Sequence, residues 1–167
     1  MLRRMNTRTW KTTLAVACSA CAFGLIDLKI AWATPGQDIT FTPISGPAVL
    51  DEVDTKSETD SHGVKFKTKG FSDVYVTSIT IKPGGYSGWH SHPGPSIISV
   101  KSGTLTLYDD CVDPSIPYVF PASSGLVEDA ECVHNVVNEG DTDLVFVVVQ
   151  VVPLFAPRRI DEPAPAP

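Results

Sequence analysis

Between Val64 and Pro153 no stretch longer than ten residues repeats its apolar side chains with a helical period, which argues against a helical core. The recurring period is two. Val64-Lys65-Phe66-Lys67 alternates apolar and charged residues, and positions 73–81 are rich in Val, Tyr, Thr and Ile. Positions 96–100, 104–108 and 144–152 continue the pattern. Lys82-Pro83-Gly84-Gly85, Ser102-Gly103 and Asn138-Glu139-Gly140 supply the residues that turns require. Short strands at regular spacing, punctuated by Gly and Pro, predict an all-β sandwich or barrel. The run 144–152 has nine residues, strand length, against the roughly 20 that a membrane helix needs.

The two ends of the chain read differently. Arg3, Arg4, Arg8 and Lys11 precede a mostly apolar run over 12–26, and Ala31-Trp32-Ala33 is a small-x-small cleavage signal. Residues 1–33 are therefore expected to be a secretory signal peptide, placing the mature protein outside the cell or in a periplasm. An uncleaved anchor is the alternative. Residues 34–63 carry Pro35, Pro43 and Pro47 and a charged patch over 51–60, and predict an irregular or edge-strand lead-in to a barrel over 64–153. His62, beside Gly63, is expected in an exposed loop. Residues 154–167, with prolines at 157, 163, 165 and 167, predict a disordered or extended Pro-rich tail. Without residues 1–33 the chain holds 8 basic against 18 acidic side chains, a formal net charge of −10. Such a surface repels phosphate backbones, so no nucleic-acid partner is expected, and no membrane association once the leader is removed.

Chemistry concentrates around the histidines. The chain has four, and His90 and His92 stand two apart, so on an extended strand both project to one face. A strand returning His134 beside them would complete a shell of three nitrogens. Gly84 and Gly85 permit a turn with positive φ before the pair, and Gly103 is expected to close a hairpin after it.

These residues resemble the cupin superfamily. Its first motif is Gly, five residues, His, one residue, His, three or four residues, Glu, six residues, Gly. The chain gives Gly84, His90, His92, Ser96 and Gly103 at those spacings, with Ser96 where the family usually carries Glu. The second motif ends in His, three residues, Asn, matched by His134 and Asn138. The Pro-x-Gly that usually precedes it is replaced by Asp129-Ala130-Glu131, and Pro121 to Gly125 offers similar turn residues upstream. The resemblance covers roughly residues 64–153. It implies a jelly-roll, or double-stranded β-helix, barrel, with His90, His92 and His134 as ligands of a divalent metal (Zn, Fe, Mn, Ni or Cu) and Asn138 structural near the following turn.

Ser96 opens three readings, because a serine hydroxyl lacks the charge and reach of a carboxylate. The metal is held by three histidines and water, or Glu128 or Glu131 reaches in, or the histidines line a pocket without metal. The first is preferred, and Glu131 has the wrong strand parity relative to His134. Trp89, Tyr86, Ser96 and Gln150 are candidates for lining a small-molecule pocket, with packing or a wet sheet edge as the alternative for the aromatics and Gln150. Cys111 and Cys132 read as a disulfide in an oxidising compartment, or as a thiolate near the metal. Cys18 and Cys21 fall inside the leader. The chain thus reads as an exported metal- or small-molecule-binding module, with a dioxygenase-like oxidoreductase as the alternative. A homodimer through edge strands stays open.

Overall fold

The computed structural model describes residues 33–166, so the proposed leader lies outside the described residues except for Ala33. Among the described residues there is no helix. Twelve strands run in chain order: β1 (Gln37–Leu50), β2 (Asp54–Glu58), β3 (Gly63–Lys67), β4 (Ser72–Tyr86), β5 (His90–Ser91), β6 (Ser96–Ser102), β7 (Thr104–Asp109), β8 (Tyr118–Pro121), β9 (Gly125–Glu128), β10 (His134–Val137), β11 (Leu144–Pro153) and β12 (Ile160–Asp161). Ten of them form one antiparallel sheet, ordered β12-β5-β10-β4-β11-β6-β9, with β1 on β4, β7 on β10 and β8 on β7. This sheet curls into a nearly closed barrel, the all-β jelly-roll architecture expected from the sequence. β2 and β3 make a separate, exposed hairpin.

The core follows from side-chain alternation. Along β11, Leu144, Phe146, Val148, Gln150 and Val152 are buried and the residues between them are half-exposed. On β6, Ser96, Ile98 and Val100 point inward while Ile97, Ser99 and Lys101 do not. These faces meet Ile79, Ile81, Leu105, Leu107 and Val136 in one apolar cluster. It fills one part of the barrel, and the three histidines lie beyond it.

Several elements depart from the sequence expectations. The lead-in contains a 14-residue strand: β1 pairs with β4 along most of its length, with register shifts between Gln37 and Ile39, Pro43 and Ser45, and Ser45 and Ala48. Those breaks accommodate residues that cannot donate to the ladder, and β1 stays on an edge as its prolines demand. Residues 82–85 do not end β4. They form a bulge with Gly84 at φ 77°, after which β4 exchanges β11 for β10 as its partner at Tyr86. β6 and β7 share no ladder, so Gly103 does not close a hairpin. A single residue at φ 76° turns the chain from one wall of the barrel to another, and a Cβ there would lie 2.9 Å from Leu144 Cα. The Pro-rich tail is ordered through residue 163: β12 pairs with β5, and Ala33 bridges Pro163. Residues 154–163 thus form a strap beside the histidines. His62 sits in the exposed turn between β2 and β3, as expected.

Candidate metal centre

Three strand segments bring the histidines together. His90 lies on β5, His92 just past its end, and His134 opens β10, where it pairs with both His90 and Asp109 of β7. Each has at most 6% of its surface exposed. Their ring centroids are 4.4–5.1 Å apart, and one nitrogen from each lies within 4.8 Å of the others.

Each ring is fixed by a backbone carbonyl. Nδ1 of His90 lies 2.8 Å from Gly88 O, that of His92 2.7 Å from Arg158 O, and that of His134 2.9 Å from Cys132 O. A carbonyl can only accept, so Nδ1 carries the proton in all three and Nε2 keeps its lone pair. This is the orientation that metal-bound histidines share. Burial is the main cause that holds the rings neutral, bringing His90 down to about 2 and His92 and His134 to about 4. His134 Nε2 is buried with no hydrogen-bond partner, a costly arrangement for a polar atom without an electrophile to meet it.

A carboxylate stands beside the rings. Glu128, at the end of β9, is 7% exposed, with Oε1 at 3.4 Å from His134 Nε2 and Oε2 at 3.6 Å from His92 Nε2. Donors held tetrahedrally about 2.0–2.1 Å from one cation stand about 3.4 Å apart, which each of these separations matches singly. They involve different carboxylate oxygens, and the group whose ligand atoms all lie within 4.8 Å of one another is His90, His92 and His134. Ser96 is the direct cross-strand partner of Glu128. The carboxylate missing at position 96 is therefore present one strand over, on the same inward face. Burial pushes the Glu128 carboxyl up to about 8, with Asp109 adding to the rise and the neighbouring Ser96 hydroxyl opposing it. That hydroxyl makes no hydrogen bond of good geometry. Glu131, the other carboxylate considered, sits at φ 64° in the β9–β10 turn, partly exposed to solvent.

Of the other predicted pocket residues, Gln150 lines the site. Its Oε1 accepts from Nε and Nη2 of Arg158 at 3.0 and 2.7 Å, and its amide nitrogen donates to Arg158 O at 3.3 Å, the same carbonyl that accepts from His92 Nδ1. Trp89 and Tyr86 are elsewhere, on a separate surface hollow with Thr34 and Asn135. Trp89 lies in the bend between β4 and β5, where its backbone N–H donates to Thr34 Oγ1 at 2.7 Å. Cys111 and Cys132 form a disulfide with Cα atoms 5.5 Å apart, which removes the thiolate reading. It ties the ends of β7 and β10 together and fixes the residue whose carbonyl orients His134. Asn138 is fully buried and structural: its amide donates to Ile81 O and Thr142 O, both at 2.8 Å, and its Oδ1 accepts from Gly140 N.

The rings open onto a cavity of about 220 Å³. Ile79, Ile98, Val136, Phe146 and Val148 supply its apolar lining, and His90, His92, Glu128, Gln150 and the strap residues Arg158 and Arg159 its polar groups. No local pattern marks the two arginines, which lie in a Pro-rich stretch, or the pairing of β9 with β6.

Residues 77–150 match the sequence profile of the cupin domain. The chain carries a cupin domain. No curated protein matches it. A chain from the crystal structures of DMSP lyases superposes with a TM-score of 0.52 at 15% identity, covering 74% of this chain and 52% of its own. This cupin thus spans about half the length of that chain, and the likeness concerns the fold alone. An uncharacterized conserved protein with a double-stranded β-helix domain from Klebsiella pneumoniae gives a TM-score of 0.46 at 22% identity, over 72% of this chain and 85% of its own. The cupin domain of an XRE family transcriptional regulator from Enterobacter cloacae gives 0.47 at 16% identity, over 73% and 100%.

Proposed function

We propose that this protein is an exported cupin that binds one divalent metal ion through His90, His92, His134 and Glu128 and receives a small organic molecule in the adjoining cavity. One observation carries the reading: three buried imidazoles, each pinned through Nδ1 to a backbone carbonyl, bring one ring nitrogen apiece within 4.8 Å of the others. When bound, a divalent ion supplies Lewis acidity there. The rings need shed no proton to ligate, being neutral already, whereas Glu128 gives up its proton when it joins them. The apolar wall keeps water from the imidazoles and holds the body of a ligand against them.

Elemental analysis of the purified protein and of His90→Ala and His134→Ala tests the metal. One equivalent per chain in the wild type and a loss of at least tenfold in both variants is the expected result. Equal metal content in all three removes the proposal. Export is supported by the basic and apolar leader and by the Cys111–Cys132 disulfide. It predicts a mature N-terminus at Thr34, and N-terminal sequencing that begins upstream of residue 30 would count against it.

A metal-dependent oxidoreductase is the second reading. It is favoured by the position of His90, His92 and Glu128 on the cavity wall, where a ligand and the metal would meet. Oxygen consumption by the metal-loaded protein over a panel of phenols, diketones and thiols tests it.

A further inference from the structure

The cavity holds a cation that no acidic residue neutralises. Arg158 is half-buried in the strap, its guanidinium 4.4 Å from the centroid of the Tyr75 ring. Nε and Nη2 are taken by Gln150 Oε1, and Nη2 also reaches Thr77 Oγ1 at 2.8 Å. Gln150, Thr77 and Tyr75 are uncharged, and among the described residues Arg158 has no salt bridge and Nη1 no acceptor. Its neighbour Arg159 differs, because Nε is paired with Asp161 Oδ1 at 2.5 Å. A guanidinium stays charged at any physiological pH. Holding one partly out of water, clamped on three sides with donors to spare, is costly unless an anion meets it.

We infer that Arg158 is the specificity determinant of the cavity and that its ligand is a small monocarboxylate with an apolar body. The inference rests on reading the cavity as a small-molecule site. A cavity of about 220 Å³ is below the roughly 300–1,000 Å³ of sites for drug-sized ligands, and Ile39, Ile79, Ile98, Phe146 and Val148 give it an aliphatic and aromatic lining. One uncompensated cation matches one negative charge. A phosphate-like dianion fits less well, because Asp161 already occupies Arg159 and leaves one unpaired cation. The bidentate geometry of guanidinium with carboxylate suits the free Nη1 edge. Gln150 then has a definite task. It fixes the Arg158 side chain from β11, while the backbone carbonyl of Arg158 fixes His92, so the anion subsite and the histidine cluster share one support.

The test is calorimetric titration of the full mature chain with butanoate and with butanamide, before and after removal of metal by chelation. Wild type is expected to prefer the acid about tenfold or more in both states. Arg158→Gln should abolish the preference with its metal content unchanged, and Arg158→Lys should restore part of it. Equal affinities in wild type, no binding of either probe, a preference that survives Arg158→Gln, or one confined to the metal-loaded protein would each overturn the inference. Should Arg158→Gln fail to fold, the wild-type comparison with and without metal still decides. Elemental analysis of the same samples separates the two proposals: a wild type without metal defeats the metal reading and leaves the carboxylate preference to be measured on its own.

Discussion

Three neutral imidazoles and one buried carboxyl give the metal-free protein a distinctive pH profile. The rings sit at about 2 and 4 in the fold against 6.5 unfolded, so between pH 4.5 and 6.5 the unfolded chain binds more protons at these sites and stability rises with pH. Glu128 works the other way: its carboxyl is held at about 8 against 4.5, so the folded state binds the extra proton between those values. From pH 4.5 to 6.5 three rings outweigh one carboxyl. Above about pH 7 the unfolded imidazoles are mostly deprotonated, Glu128 outweighs them, and stability falls toward pH 8. Chelator-treated protein should therefore show a urea midpoint that declines between about pH 7 and 8, and Glu128→Gln should remove that decline. A decline of equal size in the variant would show that Glu128 is not its source. Metal saturation should also flatten it, because the ion holds Glu128 ionised. Sequence reasoning reached His90, His92 and His134 because two lie two residues apart and the third sits in a spaced motif. It left Glu128 as one of two options, since nothing in a four-residue strand declares which neighbour it will pair with.

At the scale of elements, the centre depends on connections far from any metal ligand. The carbonyls that orient the rings belong to Gly88, Cys132 and Arg158, and each is held by a different device. Gly88 has φ 73°, and a Cβ there would stand 2.0 Å from Thr34 O, so only glycine fits. The strap carrying Arg158 is tied to the barrel by β12, by the Ala33–Pro163 bridge, and by Glu162, which accepts from Ser91 Oγ at 3.0 Å. Cys132 is held by the disulfide, which closes a loop of 21 residues in sequence separation. Replacing both cysteines by serine should cost about 3 kcal/mol of stability through the entropy of the unfolded chain. It should also weaken metal binding through the loosened Cys132 carbonyl. Denaturant titration and chelator competition on the same sample measure the two effects, and unchanged metal affinity in the folded variant would deny that coupling. The strands of the barrel were legible because alternation is a local pattern. The strap, the long β1 and the corner at Gly103 were not, because proline content predicts where ladder donors are missing and not whether a neighbouring strand is near enough to pair.

For the whole molecule, the fold divides labour along the barrel. An apolar cluster packs one part, the histidines and Glu128 hold another, and the cavity with Arg158 lies beside them. The formal charge of −10 on the proposed mature chain makes Arg158 more conspicuous, since acidic side chains are plentiful and, among the described residues, none forms a salt bridge with it. The central claim is that three imidazoles and one carboxylate converge on a single ion. X-ray absorption spectroscopy of the metal-loaded protein tests it most directly. The account predicts the outer-shell scattering of three imidazoles, with nitrogen near the roughly 2.0–2.1 Å of metal–histidine bonds, and an altered oxygen contribution in Glu128→Gln. A spectrum showing one imidazole or none around the bound metal would contradict it.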